Sequence, residues 1–265
     1  MKRLLLLITL FILFSSHELF LKTDSYFLET NKFSELYLFN GTFDESENVI
    51  TRDRIIDAKI IGPEYEFSPD EADYYDQGEV TYLKFKSGNE GTYVAGISTS
   101  PSIIELSAME FKEYLEHEEL TDVITEREDR GISNSSVREK YSKHVKAILQ
   151  VADRRTKHFE TKLGYPMEFI PLNNPYELSI NDQISFKLLS RGKPLSNQIV
   201  HYSSRLGPQN LSREENSTRT DKSGNFTITL SEAGTWYVAT IHMVESEAED
   251  IDYESIWATL SFEIK

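Results

Sequence analysis

The chain predicts a mainly β protein built as two tandem antiparallel β-sandwiches of immunoglobulin- or transthyretin-like type, the first carrying a helical insertion. Three observations predict this. Short alternating segments recur at about ten-residue spacing with turn residues between them. A single stretch carries helical periodicity. A proline-rich passage, Pro166, Pro171 and Pro175, separates two β-rich runs. The implied organisation is a leader at 1–16, an N-terminal β-rich domain at 17–165 with its insertion near 107–130, and a C-terminal sandwich at 166–265.

Each element has its own signal. FSELYLFNGTF (33–43) alternates Leu36 and Leu38 with Tyr37 and Phe39 before the turn pair Asn40-Gly41. RIIDAKIIG (54–62) and VTYLKFKSG (80–88) repeat the strand-then-glycine pattern. GTYVAGIST (91–99) follows across Asn89-Glu90, a spacing that predicts a hairpin. From Ser107, apolar Met109, Phe111, Tyr114, Leu115, Leu120, Val123 and Ile124 recur at three- and four-residue spacing until Gly131. In KHVKAILQVAD (143–153), Val145, Ala147, Leu149 and Val151 alternate strictly, which predicts a strand. Beyond residue 180, strand segments alternate with turns at Arg191 to Pro194, Asp221 to Asn225 and Ala233-Gly234.

The first sixteen residues read as an export signal. Lys2 and Arg3 precede an apolar run at 4–14, broken by Thr9 alone, which is shorter than the roughly 20 residues a membrane span needs. Cleavage after Ser16 makes His17 the first residue, and cleavage after Ser15 makes it the second. A terminal histidine offers a metal its α-amine and its imidazole together. The protein is therefore expected in the periplasm or outside the cell, with no membrane span once the signal is removed.

Composition narrows the function classes. The 265 residues include 15 Phe and 14 Tyr, ample for a packed core. A net charge of −16 repels nucleic acid and concentrates cations, so nucleic-acid binding is excluded. No cysteine is present, which removes disulfides, thiolate metal sites and a cysteine nucleophile. No GxSxG, P-loop or Rossmann fingerprint occurs, and nothing singles out a general-acid pair among 44 acidic residues. Asp70, Glu71, Asp73 and Asp76 lack the spacing of an EF-hand loop. An enzyme is not expected.

HELFLK, LYLFNGTF, EGTYVAG, REKYSKHVKAILQ, LGYPMEFIPLNNPYEL, GKPL, TDKSGNF and GTWYVATIHM occur in an order that resembles an exported bacterial family, DUF4198. That family is often described as the periplasmic component of a cobalt or nickel ABC-type transport system. The resemblance extends over nearly all of 17–265. It implies two β-rich domains, a divalent transition metal (nickel, cobalt, copper or zinc) as ligand, and a membrane metal transporter as partner. It also implies that His17 and His242 are the functional histidines.

The residues themselves leave the metal site open. Imidazole suits all four metals, but no HExxH, HxH or histidine tract fixes a site by local spacing. His242 stands near an acidic run of Glu245, Glu247, Glu249, Asp250 and Asp252, and a half-buried strand position describes it equally well. His117 has Glu116, Glu118 and Glu119 beside it, the pattern of a solvated helix end. His144 lies among Lys140, Lys143 and Lys146, while His158 and His201 read as structural. The competing function is a metal-free binding or spacer module that acts through protein or glycan contacts.

Overall fold

The computed structural model describes residues 18–206, 211–212 and 215–265. The leader and His17 lie outside the described residues. In chain order the strands are β1 (Glu18–Lys22), β2 (Phe27–Leu28), β3 (Phe33–Gly41), β4 (Ser46–Asn48), β5 (Ile55–Gly62), β6 (Tyr65–Phe67) and β7 (Tyr74–Gln77). There follow β8 (Val80–Lys86), β9 (Gly91–Thr99), β10 (Ser102–Leu106), the helices α1 (Ala108–His117) and α2 (Thr121–Asp129), and β11 (Val137–Val151). The remainder holds β12 (Met167–Pro171), β13 (Gln183–Ser190), β14 (Lys193–Pro194), β15 (Ile199–Leu206) and β16 (Leu211–Ser212). The last four are β17 (Asn216–Arg219), β18 (Asn225–Thr229), β19 (Gly234–Glu245) and β20 (Tyr253–Ile264).

These strands form three sheets. An 11-stranded sheet runs β16-β15-β19-β20-β11-β9-β5-β6, with β10 and β2 on β11 and β17 on β15. It draws strands from both sides of residue 165, because β11 and β20 pair in parallel, Lys143 opposite Trp257. A strand inside such a sheet is buried on both faces, which is why 143–151 is wholly buried.

Alternation assigns the faces. Toward one face point Val145, Ala147 and Leu149, packed with Leu19, Leu21, Leu36, Leu38, Leu83 and Phe85 of the five-stranded sheet β1-β3-β8-β7, in which β4 also pairs with β3. Toward the other point Ala258, Leu260 and Phe262, which join Met167, Phe169, Phe186 and Leu188 of the four-stranded sheet β12-β13-β14, in which β18 also pairs with β13. The large sheet is thus the middle layer of three, and the class is mainly β as the sequence predicts.

The hairpin expected across Asn89-Glu90 does not form. β8 pairs with β3 and β7, while β9 pairs with β5 and β11, so the link carries the chain from one layer to the next. The sequence marks both strands but holds no information about which neighbour each takes.

The helical segment is two helices. Ser107 caps the first: its hydroxyl accepts from Glu110 N at 3.3 Å, and Glu110 Oε2 accepts from Ser107 N at 2.7 Å. The segment breaks at Glu119, whose φ of 52° lies in the left-handed region. Phe111 and Leu115 are buried against Ile241, Met243, Tyr253 and Trp257. Arg127 is buried behind them, donating from Nη2 to the carbonyls of Ile132 and Ser135 at 2.8 and 2.9 Å. Among the described residues no helix is long and apolar enough to cross a membrane.

Candidate functional site

Helices and five-stranded sheet cover the same face of the middle layer, and polar side chains fill the seam between them. Along β19, Ile241 and Met243 lie under the helices, while Tyr237 and Ala239 lie under Phe20 and Phe43. His201 pairs with Ala239 and therefore points into this seam, where it is buried.

The ring of His201 has an assignable tautomer. Its Nε2 stands 3.4 Å from the carbonyl oxygen of Glu118. A carbonyl only accepts, so Nε2 carries the hydrogen and, in the neutral ring, Nδ1 carries the lone pair. Nδ1 faces carboxylates: it is 3.6 Å from Glu215 Oε1 and 3.9 Å from Glu119 Oε1. Both separations exceed a hydrogen bond. Glu215 is held in place because Tyr237 donates its hydroxyl to Oε2 at 2.6 Å.

The seam is rich in negative charge. His117 Nδ1 lies 3.0 Å from Glu118 Oε1, and that hydrogen bond raises the imidazole's pKa. Glu18, on β1, has its carboxyl pKa raised well above the ordinary range by burial first and then by the charges of Glu118 and Glu215. Lys143 opposes this as the nearby cation. Among the described residues no group of three or more His, Asp or Glu side chains converges tightly enough to hold a metal ion by itself.

The other histidines are placed differently. His242 pairs with Ile256, three positions beyond Ala239, so alternation turns it to the opposite face from His201. Its Nδ1 is 3.0 Å from Gln198 Oε1, and Gln198 Nε2 donates to Ile241 O at 2.7 Å, which fixes the amide and puts the hydrogen on Nδ1. Burial, and then the charge of Arg191, lower the His242 pKa. The acidic run beside it is engaged elsewhere, Glu245 with Arg130 and Asp250 with Arg138. His158 Nδ1 lies 3.1 Å from the Thr156 hydroxyl. The seam residues Glu119, His201 and Glu215 carry no spacing signal; the one local hint is the run His117-Glu118-Glu119.

His144 is a satisfied core histidine. Ser98 Oγ lies 2.9 Å from Nδ1 and Ser142 Oγ 3.1 Å from Nε2, and burial lowers its pKa to about 4. As pH falls, the unfolded chain therefore takes up this proton first, at about pH 6.5. His144's contribution is whole above that pH and drains away toward about pH 4, by up to about 3 kcal/mol. Urea midpoints at neutral pH and near pH 4.5 test this. Wild type is expected to lose more stability than His144→Gln, and parallel losses would contradict it.

The chain matches the model of a domain of unknown function (DUF4198) over residues 14–244. No curated protein matches it. Among solved structures, the D0-D1 domain of intimin is 12% identical with a TM-score of 0.21, covering 92% of this chain and 97% of that one. Salmonella alpha-2-macroglobulin reacted with methylamine is 10% identical at a TM-score of 0.25, covering 92% of this chain and 15% of that one. Trypsin-activated alpha-2-macroglobulin from Escherichia coli is 9% identical at 0.24, with the same two coverages, 92% and 15%. TM-scores of this size carry no argument.

Proposed function

The chain belongs to the DUF4198 family, a domain of unknown function, and we propose that this member is an exported protein that binds a divalent transition metal at the seam. Nickel or cobalt is the first choice, copper or zinc the second. The role is capture and delivery to a membrane transporter, not catalysis.

The observation that carries the reading is the set of separations around His201. Two donors on one ion at about 2.0–2.2 Å each lie roughly 3–3.6 Å apart. Nδ1 to Glu215 at 3.6 Å and to Glu119 at 3.9 Å approach that spacing, and an imidazole nitrogen facing two carboxylates favours a cation between them. The Tyr237 hydroxyl on Glu215 supplies the outer-shell support such ligands need.

His17 precedes Glu18 directly in the sequence, and the Glu18 carboxyl already senses Glu118 and Glu215. Freed by signal cleavage, its amine and imidazole would complete the donor set. The ion's charge would also offset the crowded carboxylates. His242, on the other face, is assigned no place in this set.

Nickel and cobalt titration calorimetry on the mature protein tests the reading. His201→Ala and Glu215→Gln are each expected to weaken binding at least tenfold, about 1.4 kcal/mol, while His242→Ala leaves it unchanged. Wild-type affinity in both seam variants would overturn the site. No binding of any of the four metals would favour the binding or spacer module.

A further inference from the structure

Lys143 and Asn40 make an unusual pair. Lys143 lies on β11 of the middle layer, and only 6% of its surface is exposed. Its Nζ donates to Asn40 Oδ1, on β3 of the outer sheet, at 2.7 Å across 103 residues of sequence. An ammonium has three hydrogens to place, and among the described residues Asn40 is the one acceptor in hydrogen-bond reach of it. The ring of Tyr141 stands 5.4 Å from Nζ. The charged groups that face the amine are Arg54, Glu18 and Glu139.

We propose that Lys143 and Asn40 join in an intramolecular isopeptide bond that ties the five-stranded sheet to the middle layer. The Nζ lone pair attacks Cγ of Asn40 and a carbon–nitrogen bond forms. The bond from Cγ to the carboxamide nitrogen breaks. The proton that Nζ gives up passes to that departing nitrogen, which leaves as ammonia. The products are a secondary amide and one ammonia, and no oxidant or reductant takes part.

Three observations support the step. Cγ is one carbonyl bond, about 1.2 Å, from the oxygen that Nζ already touches, so a small rotation of the carboxamide brings nitrogen and carbon to the near-attack range of about 3–3.5 Å. Burial, and then the charge of Arg54, bring the amine down to about 7, so a neutral nucleophile is present at ordinary pH. The chain also has no cysteine, so a disulfide cannot link these layers. A cross-link over a long loop restricts the unfolded chain by the same loop-closure argument that applies to a disulfide. Forming the amide also removes the cation that stands near Glu18.

Intact-mass spectrometry of the denatured mature protein, followed by peptide mapping, tests it. The expected mass is one ammonia below that calculated, with a branched peptide joining the Asn40 and Lys143 segments. Lys143→Arg and Asn40→Ala are expected at their full masses. Asn40→Asp is expected to cross-link with loss of water and reach the wild-type mass. A wild-type protein at full mass, with both segments as linear peptides, overturns the proposal. So does an ammonia loss confined to the linear Asn40-Gly41 peptide, which is succinimide formation.

Discussion

Glu168→Ala is expected to cost the fold about 3–5 kcal/mol, the usual penalty for leaving one member of a buried ion pair alone. Lys146 and Glu168 meet at 3.1 Å with their side chains 1% and 3% exposed. The pair stitches β11 to β12, so it joins the middle layer to the four-stranded sheet. Lys146 Nζ also donates to the carbonyls of Thr161 and Phe169 at 3.2 and 3.0 Å. Glu168 in turn accepts from the backbone N–H groups of Leu163 and Gly164 at 2.9 and 3.1 Å. Alanine leaves the two loop N–H groups without their acceptor and the buried ammonium without its counter-charge, held by two carbonyls alone. Burial lowers the Lys146 pKa while Glu168 raises it, so removing the carboxylate lets the amine go neutral and limits the loss. Equilibrium urea unfolding measures it, and a loss below about 1 kcal/mol would contradict the account. Lys146→Met is expected to cost less, because it leaves Glu168 with its two backbone donors.

Phe111→Ala is the second large effect, about 3–5 kcal/mol for emptying a buried aromatic site. Phe111 is fully buried, its ring 5.3 Å from Tyr253 and 5.8 Å from Tyr114, with the Arg127 guanidinium 5.0 Å away. Its cluster is separate from the main core. The loss is therefore expected to be local, and amide hydrogen exchange would show it as faster exchange over 108–129 with β11 and β20 still protected. Because α1 ends at His117 and leads straight into Glu118 and Glu119, metal affinity should fall with it. Uniform acceleration across all three sheets would mean that the insertion is not a unit of its own.

Most individual strands are legible in the sequence, while the way they share one middle sheet across residue 165 is not. Period-two alternation marks β3 and β11, and short apolar runs ending in glycine mark β5 and β8. Alternation is silent on partners. The β8–β9 link therefore looked like a hairpin, and nothing local announced the parallel pairing of β11 with β20, over 100 residues away in sequence. The helical stretch was visible from its period, while its break was not, since Glu119 adopts φ 52° without a glycine to signal it.

The candidate site was the least legible part. Glu119, His201 and Glu215 come from the link between two helices, the third residue of a strand and the lead into another. Imidazole and carboxylate are brought together by folding alone. His201, which reads as structural in sequence, is the centre of the seam, while His242 stands on the opposite face. His17 lies outside the described residues and enters through its covalent bond to Glu18.

One metal ion is expected between His201 Nδ1 and the carboxylates that face it. Anomalous diffraction at the nickel edge, from crystals of the mature protein grown with nickel, tests it most directly. The account predicts one strong peak within bonding distance, about 2.0–2.2 Å, of His201 Nδ1 and of Glu215 Oε1, with density for the terminal amine beside it. A peak at His242 instead, or a seam without one at saturating nickel, would contradict it.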